Sequence, residues 1–273
     1  MAKLDAQWQH RRKQLRNAFQ TLHTESPDWA WPFVPSIPFV GRRYRPGHGL
    51  LIYASAENLS WMNRKSVPAR FQEPAGWDRY RACLEEKPVN RSGFFPNIGI
   101  APVSNGALLS AGLYVAHRRG LPVRKTPASF IETLAVSNWC KFSVQDTLNR
   151  DHVGDLTKLA KSLSFVIAEL SLLRPKVVLL PRTIWRHTIL AEAMRGASWT
   201  TEFLPAPQFN APVVNIHLKD YASRGMTMQN EFVDTPLGIW MSQLKGLNTA
   251  NAWRYICMLG TLLTPSRPES ICR

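Results

Sequence analysis

The stretch ELSLLRPKVVLLP, residues 169–181, joins the end of an apolar helical segment to a short run of strand character. Residues 155–173 carry apolar side chains at helical spacing, and Asp155 is a candidate N-cap for that helix. The run KVVLLP that follows is bounded by Pro175 and Pro181. A short, continuously apolar run between such boundaries is typical of a buried strand.

The alternation of strand and helix continues on both sides of this stretch. Three further apolar runs of strand length are LLIYAS (50–55), LAVSNWCKF (134–142) and PVVNIHL (212–218). Residues 184–195 have helical spacing and lie between the strands at 176–181 and 212–218. Strands that alternate with helices form βαβ units. The sequence therefore predicts an α/β fold with a mainly parallel sheet and helices on both of its faces.

The predicted α/β domain covers residues 49–263 and is flanked by two other segments. Residues 1–48 contain a basic amphipathic helix at 3–22, followed by a wrapping loop rich in proline and aromatic residues. The less regular region 60–133 is interpreted as an insert, and residues 264–273 as a flexible tail. The basic helix either lies against a phosphate backbone or packs on the domain with one solvated face.

Charge is the strongest global feature of the chain. Its 273 residues include 34 lysines and arginines against 19 acidic residues, which gives a net charge of +15. A fold this basic favours polyanions, and we expect nucleic acid to be the partner. No apolar run approaches the roughly 18 residues of a membrane span, so no membrane association is expected. The polar N-terminus lacks the apolar segment of a secretory signal, and the four scattered cysteines form no CxxC pair, which favours a cytoplasmic protein with reduced thiols.

Several motifs that would identify other site classes do not occur in the sequence. There is no GxGxxG and no GxxxxGK[ST], so a dinucleotide or P-loop nucleotide site is disfavoured. There is no HExxH or GxSxG, the seven histidines stand singly, and acidic residues are sparse. We therefore predict neither a cofactor nor a metal site.

In an open parallel α/β sheet, ligands bind beyond the carboxyl ends of the strands. The first strand ends at Ser55, Glu57 and Asn58, the second carries Asn138, and the fourth carries His217. Each has a structural alternative. The two residues that follow the first strand could cap a helix, the strand asparagine could satisfy neighbouring backbone groups, and the histidine could be a hydrogen-bonded core residue.

The order of these segments resembles the uracil-DNA glycosylase superfamily. LLIYASAEN stands where that family has its first motif, and SNWCKF resembles its strand with an asparagine and a lysine. ELSLLRPKVVLLP resembles its helix, proline and third strand, and NIHLKDYASRG falls at its histidine motif. The phrase IPFVGRRY also resembles the approach to the first strand in divergent members. The resemblance implies a three-layer α/β/α sandwich with a four-stranded, mainly parallel sheet.

The resemblance also implies a hydrolase of DNA repair that cleaves the N-glycosidic bond of a flipped base. Glu57 or Asn58 would position or deprotonate the water, because Ser55 occupies the place of the family's usual acid or amide. Asn138 would bind the base edge, and His217 would stabilise charge on the departing base. The base would stack on Tyr53 or Trp139. DNA is favoured over RNA, and the expected phosphate contacts are Arg42, Arg43, Arg45, Lys141, Arg182, Lys219 and Arg224.

Two alternatives to a glycosylase stay open at the level of sequence. In the first, the chain binds nucleic acid but has lost the first catalytic motif, which predicts salt-dependent binding without base release. In the second, it is a structural or interaction protein that docks a partner through helix 3–22 and the loop that follows it.

Overall fold

The structure is a computed structural model that describes residues 2–24, 38–58, 103–122, 132–144, 156–197, 200–207, 229–235, 237–239, 253 and 255–260. The strand predicted at 212–218 and the tail predicted at 264–273 lie outside these residues, as does most of the predicted insert.

The described part of the chain alternates between helices and strands. Its helices are α1 (Ala2–Thr24), α2 (Val103–Arg118), α3 (Leu156–Lys161), α4 (Leu163–Leu173), α5 (Arg182–Trp185) and α6 (Thr188–Ala197). Its strands are β1 (Phe39–Val40), β2 (Leu50–Asn58), β3 (Leu134–Val144), β4 (Val177–Pro181) and β5 (Glu202–Ala206).

The strands form one sheet in the order β1-β3-β2-β4-β5. Strands β2 to β5 run parallel to one another, and β1 pairs antiparallel with β3 at the edge. The predicted α/β class with a mainly parallel sheet is thus confirmed. The described residues form five strands rather than the predicted four, because two residues of the proline-rich loop add the antiparallel edge strand β1 and residues 202–206 add β5.

The strand after β4 is formed by residues 202–206, which the sequence does not mark as a strand. Pro205 is its fourth residue and pairs in register with Leu180. Proline is tolerated here because β5 pairs only with β4 among the described strands, so its other side needs no ladder of N–H donors.

Helices cover both faces of the sheet. Successive residues of β2 alternate, so that Leu50 and Ile52 join the core beneath α2, whereas Leu51 and Tyr53 join the core beneath α1, α4 and α6. α1 belongs to the second core through Leu15 and Phe19. The ring of Phe19 meets that of Phe165 edge-on, with their centroids 5.1 Å apart. The apolar stripe of α1 therefore packs on the domain, as one of the two alternatives for this helix predicts.

The strand order places a topological switch point at the carboxyl ends of β2 and β4, and we call this place the crevice. The chain leaves β2 towards α2 on one face, and it reaches β4 through α4 on the other face. β2 and β4 are neighbours, so their connections diverge at the point where open α/β sheets bind ligands. Pairing between β2 and β4 ends at Ile52 and Leu179, whereas pairing between β2 and β3 continues to Asn58 and Val144. β2 therefore extends beyond its β4 partner on the side of the crevice.

Candidate functional site

Asn138 lies on β3 at the approach to this crevice. Its register partner on β2 is Ala54. Leu134 and Val136, four and two residues earlier, pack in the core beneath α2, so strand alternation turns Asn138 towards the same face. The Asn138 side chain is fully buried, and neither its Oδ1 nor its Nδ2 atom has a hydrogen-bond partner among the residues that the structure describes.

Such an arrangement is costly for a folded chain. A buried amide without partners loses its hydrogen bonds to water, at a cost of about 1–3 kcal/mol. The alternative that Asn138 satisfies neighbouring backbone groups is thus wrong. An asparagine amide offers one acceptor oxygen and two donor hydrogens in one plane, which suits a partner with adjacent donor and acceptor groups. Ala54, its register partner, is only partly buried, so solvent reaches this face of the sheet close to the amide.

The residues predicted as the first catalytic motif lie within β2 itself. Ala56 pairs with Cys140 and Asn58 with Val144, with a register irregularity between these two pairs. Glu57 and Asn58 are therefore part of strand β2, and the alternative that they cap a helix after it concerns residues outside those described. The side chains of Ser55, Glu57 and Asn58 lie outside what the structure describes, and so does the whole of His217.

Arg182 stands at the carboxyl end of β4, where it begins the short helix α5. Its side chain is exposed. The phosphate contact predicted for it stays a prediction. Lys219 and Arg224, two other predicted phosphate contacts, lie outside the described residues.

Lys141 does not lie on the surface, although the sequence predicts a phosphate contact for it. Its side chain is 0% exposed and forms an ion pair with Glu169, which is equally buried. Its ammonium group also donates to Ser137 Oγ over 2.8 Å, and it lies 5.3 Å from the centre of the Tyr53 ring. The prediction of a phosphate contact is corrected, because this charge is already paired inside the core.

Tyr53 and Trp139 are likewise core residues rather than stacking platforms. The Tyr53 hydroxyl donates to Glu169 Oε2 over 2.6 Å, and the Trp139 indole N–H donates to the carbonyl of Leu159 over 3.2 Å. Both rings are buried on the face of the sheet opposite to Asn138. A base held by that asparagine would therefore not reach them, and both predicted roles are corrected.

Glu169 is the centre of a polar cluster that the sequence analysis does not identify. Besides Lys141, its carboxylate accepts from the hydroxyls of Tyr53 and Ser137, the latter over 2.8 Å. Burial is the largest cause of a raised pKa at Tyr53, and the charge of Glu169 raises it further, so the phenol stays protonated and donates. A sequence signal for this cluster exists. Glu169 lies four residues after Phe165 and one before Leu170, on the buried face of α4.

Three predicted phosphate contacts, Arg42, Arg43 and Arg45, are exposed but lie at the opposite edge of the sheet. Their loop precedes β2, and the Arg43 N–H donates to the carbonyl of Glu132, just before β3 begins. The eight residue steps from Leu50 to Asn58 in β2 span about 26 Å, at the rise of an extended strand. These arginines are thus not neighbours of the crevice, and the phosphate contacts predicted for them stay a prediction for the other end of the sheet.

Known proteins offer no further guide to this site. Neither the family models nor the curated proteins nor the solved structures with which the chain was compared give a match. Among the described residues, no three His, Cys, Asp or Glu side chains come together as a metal site would require. None of the helices described is both long and apolar enough to cross a membrane.

Proposed function

We propose that the chain is a DNA-binding protein of uracil-DNA-glycosylase-like fold that accepts a flipped base at the carboxyl edge of its sheet and hydrolyses its N-glycosidic bond. The observation that carries the proposal is the buried amide of Asn138, whose donor and acceptor atoms are both unpartnered in the described part of the chain. A uracil or hypoxanthine edge presents a ring N–H beside a carbonyl. Such an edge would complete both hydrogen bonds of this amide.

The position of this amide supports the proposal as well. Ligands of open α/β sheets bind at the divergence of two neighbouring strands, and here that is the crevice between β2 and β4. Asn138 faces Ala54, from which β2 continues to Glu57 and Asn58 on the crevice side. A water-activating group on that last part of the strand would lie at the same edge as the base.

Charge supports a nucleic-acid substrate over a free base. The net charge of +15 raises the local concentration of a polyanion. Arg182 is exposed at the crevice and can contact a phosphate that flanks the flipped nucleotide. Such a contact would hold the nucleotide in place without selecting a sequence.

A base-release assay tests the proposal. The substrates are single- and double-stranded oligonucleotides that contain uracil, hypoxanthine or only normal bases, and the product is an abasic site. The variants are Glu57→Gln, Asn58→Ala, Asn138→Ala and His217→Ala, with Ser137→Ala as the matched control because Ser137 points to the opposite face. We expect product from the wild type and from the control, and a loss of at least about tenfold in Asn138→Ala.

The same assay separates the proposal from its two alternatives. Salt-sensitive DNA binding without product from any substrate would identify a non-catalytic binder. Neither binding nor product would exclude both nucleic-acid functions and leave partner docking. Product formation that is equally strong in Asn138→Ala and in the wild type would refute the role given to the buried amide.

A further inference from the structure

A second cationic surface lies at the amino-terminal edge of the sheet, away from the candidate site. We call it the amino-edge face. It consists of exposed basic side chains from two segments, namely Arg42, Arg43 and Arg45 before β2, and Arg174 and Lys176 between α4 and β4.

Backbone hydrogen bonds hold these two segments together. The Gly47 N–H donates to the carbonyl of Arg174 over 2.6 Å. The Lys176 N–H donates to the carbonyl of Gly49 over 2.9 Å. The five cations are therefore fixed on one connected framework, and their spacing is set by the sheet rather than by a flexible segment.

Few carboxylates offset this charge in the part of the chain that the structure describes. Two acidic residues lie at this edge, Glu132 and Glu202. Glu202 is held by Arg119, whose Nη2 and Nε donate to its carboxylate. Glu132 accepts from the backbone N–H of Arg42 over 3.1 Å. The described neighbourhood leaves the face with a net positive charge.

Arg174 adds a second, independent observation. It is the C-cap residue of α4 and the one non-glycine residue with a positive φ, +42°, among those described. Glycine adopts this left-handed conformation without strain and is the usual residue at such helix ends. The charge of an arginine suits a helix C-terminus, but the left-handed backbone does not favour it, and a function of the exposed side chain would account for its presence there.

The partner must be recognised by charge. The apolar side of α1, which would enter a lipid interface, packs instead on α4 through Leu15 and Phe19. Next to the face, the guanidinium groups of Arg12 and Arg42 lie 4.4 Å and 5.2 Å from the ring of Trp8. Arginines that alternate with an aromatic ring on a surface of this kind suit a phosphate backbone better than a bilayer.

We propose that the amino-edge face binds the phosphate backbone of nucleic acid as a second contact surface, about 26 Å from the carboxyl edge by the rise of β2. The proposal rests on the nucleic-acid binding of the proposed function but not on base release. It implies that one protein molecule engages two separate backbone segments, either of one bent duplex or of two molecules.

The test is the salt dependence of binding to a DNA duplex of about 25 base pairs, measured by fluorescence anisotropy between about 50 and 200 mM salt. Arg43→Gln/Arg45→Gln removes two cations of the face, and Lys13→Gln/Lys161→Gln removes two exposed cations elsewhere. The first variant should raise Kd roughly tenfold and reduce the slope of log K against log salt by about 2. The control should leave the slope near that of the wild type.

Arg174→Gly provides a variant whose folding is not at risk. It should raise Tm, because glycine relieves the left-handed strain, and at the same time weaken DNA binding. A slope that is equal in the face variant, the control and the wild type would overturn the proposal. Binding of the wild type to phosphatidylserine vesicles that the face variant loses, with DNA binding unchanged, would also overturn it.

Base release, measured on a short single-stranded oligonucleotide that reaches only the carboxyl edge, keeps the two proposals apart. Base release that persists in Arg43→Gln/Arg45→Gln while its duplex binding weakens supports the second surface. Absence of base release from the wild type would refute the glycosylase proposal alone, since the salt slopes still decide the second surface.

Discussion

The ammonium group of Lys141 and the carboxylate of Glu169 form an ion pair that solvent does not reach, between β3 and α4. Two hydroxyls complete the hydrogen bonding of the carboxylate, those of Tyr53 and Ser137. The pair links a central strand to the helix that follows it in the chain, on the face of the sheet opposite to Asn138. A buried pair with such support is costly to break from one side, because the partner left behind is a buried, uncompensated charge.

Lys141→Met should therefore destabilise the protein by about 3–5 kcal/mol, as should Glu169→Leu. The double variant Lys141→Met/Glu169→Leu removes both charges and should lie closer to the wild type than either single variant. Urea unfolding with a complete double-mutant cycle measures this. Additive losses would show that the two groups are not energetically coupled.

The hydroxyl of Tyr53 should contribute more to the stability of the fold than that of Tyr44, although both rings are buried. Tyr53 donates to a charged carboxylate over 2.6 Å, whereas Tyr44 donates to the neutral carbonyl of Leu173 over 3.2 Å. We expect Tyr53→Phe to cost about 1.5–3 kcal/mol and Tyr44→Phe about 0.5–1.5 kcal/mol in unfolding free energy. The reverse order in urea unfolding would contradict the cluster described here.

Stability should fall steeply in alkali. Burial raises the pKa of Tyr44, Tyr114 and Tyr255 above the usual value, and burial together with Glu169 raises that of Tyr53. The unfolded chain therefore loses these protons first, near pH 10, and the stabilisation is lost as pH rises further. Four such groups give a slope of up to about 5 kcal/mol per pH unit.

Phenolate absorbance checks this expectation. Of the six tyrosines, those four should ionise only as the protein unfolds, and circular dichroism in the same titration follows the unfolding. Ionisation of all six near pH 10 with the native spectrum retained would contradict the burial of these rings.

The contact between α2 and β2 predicts that one substitution on β2 compensates for the cost of another on α2. A Cβ atom added at Gly112 would lie 2.4 Å from Cδ1 of Ile52, in a buried contact. Gly112→Ala should thus cost about 1–3 kcal/mol by overpacking. In an Ile52→Val background, which removes that Cδ1 atom, the same substitution should be neutral or favourable, since alanine is the better helix former. An equal cost of Gly112→Ala in both backgrounds would show that α2 does not lie on β2 at this point.

The sequence predicts those elements whose boundaries and periodicity are local. β4 is found because a continuous apolar run is bounded by Pro175 and Pro181, and α4 because its apolar spacing is regular. β5 is missed because Pro205 interrupts a short and partly exposed segment, and its strand geometry depends on pairing with β4. Edge strands of this kind adopt strand geometry because of their tertiary contacts, which the local sequence does not show.

The site is predicted in part for a similar reason. Residue type and strand position suffice to single out Asn138, but whether its amide has partners depends on the packing of α2. Lys141 meets Glu169 across 28 residues, so local pattern does not reveal that its charge is already paired. Chain direction does predict the position of Arg42, Arg43 and Arg45. Their loop leads into β2, so it lies at the amino end of that strand.

Arg174→Gly should stabilise the protein by about 1 kcal/mol, because the left-handed φ of +42° strains the backbone of arginine but not that of glycine. Arg174→Ala is the control. It removes the same charge but keeps a Cβ atom, so it should bring no such gain. Thermal and urea unfolding of the two variants measure the difference. Equal stability of Arg174→Gly and Arg174→Ala would show that the residue is not strained.

Asn138 and Ser137 are adjacent on β3, and replacing each with an apolar residue should change the free energy of unfolding in opposite directions. The Ser137 hydroxyl accepts from Lys141 and donates to Glu169, so Ser137→Ala should destabilise by about 1–3 kcal/mol. Asn138→Leu replaces an unpartnered buried amide with an apolar side chain of similar volume, and should stabilise by a similar amount. The same variant should lose base binding, since a site that keeps an unsatisfied polar group gives up stability for a ligand. Urea unfolding and the base-release assay give both readouts, and a destabilised Asn138→Leu would show that the amide serves the fold.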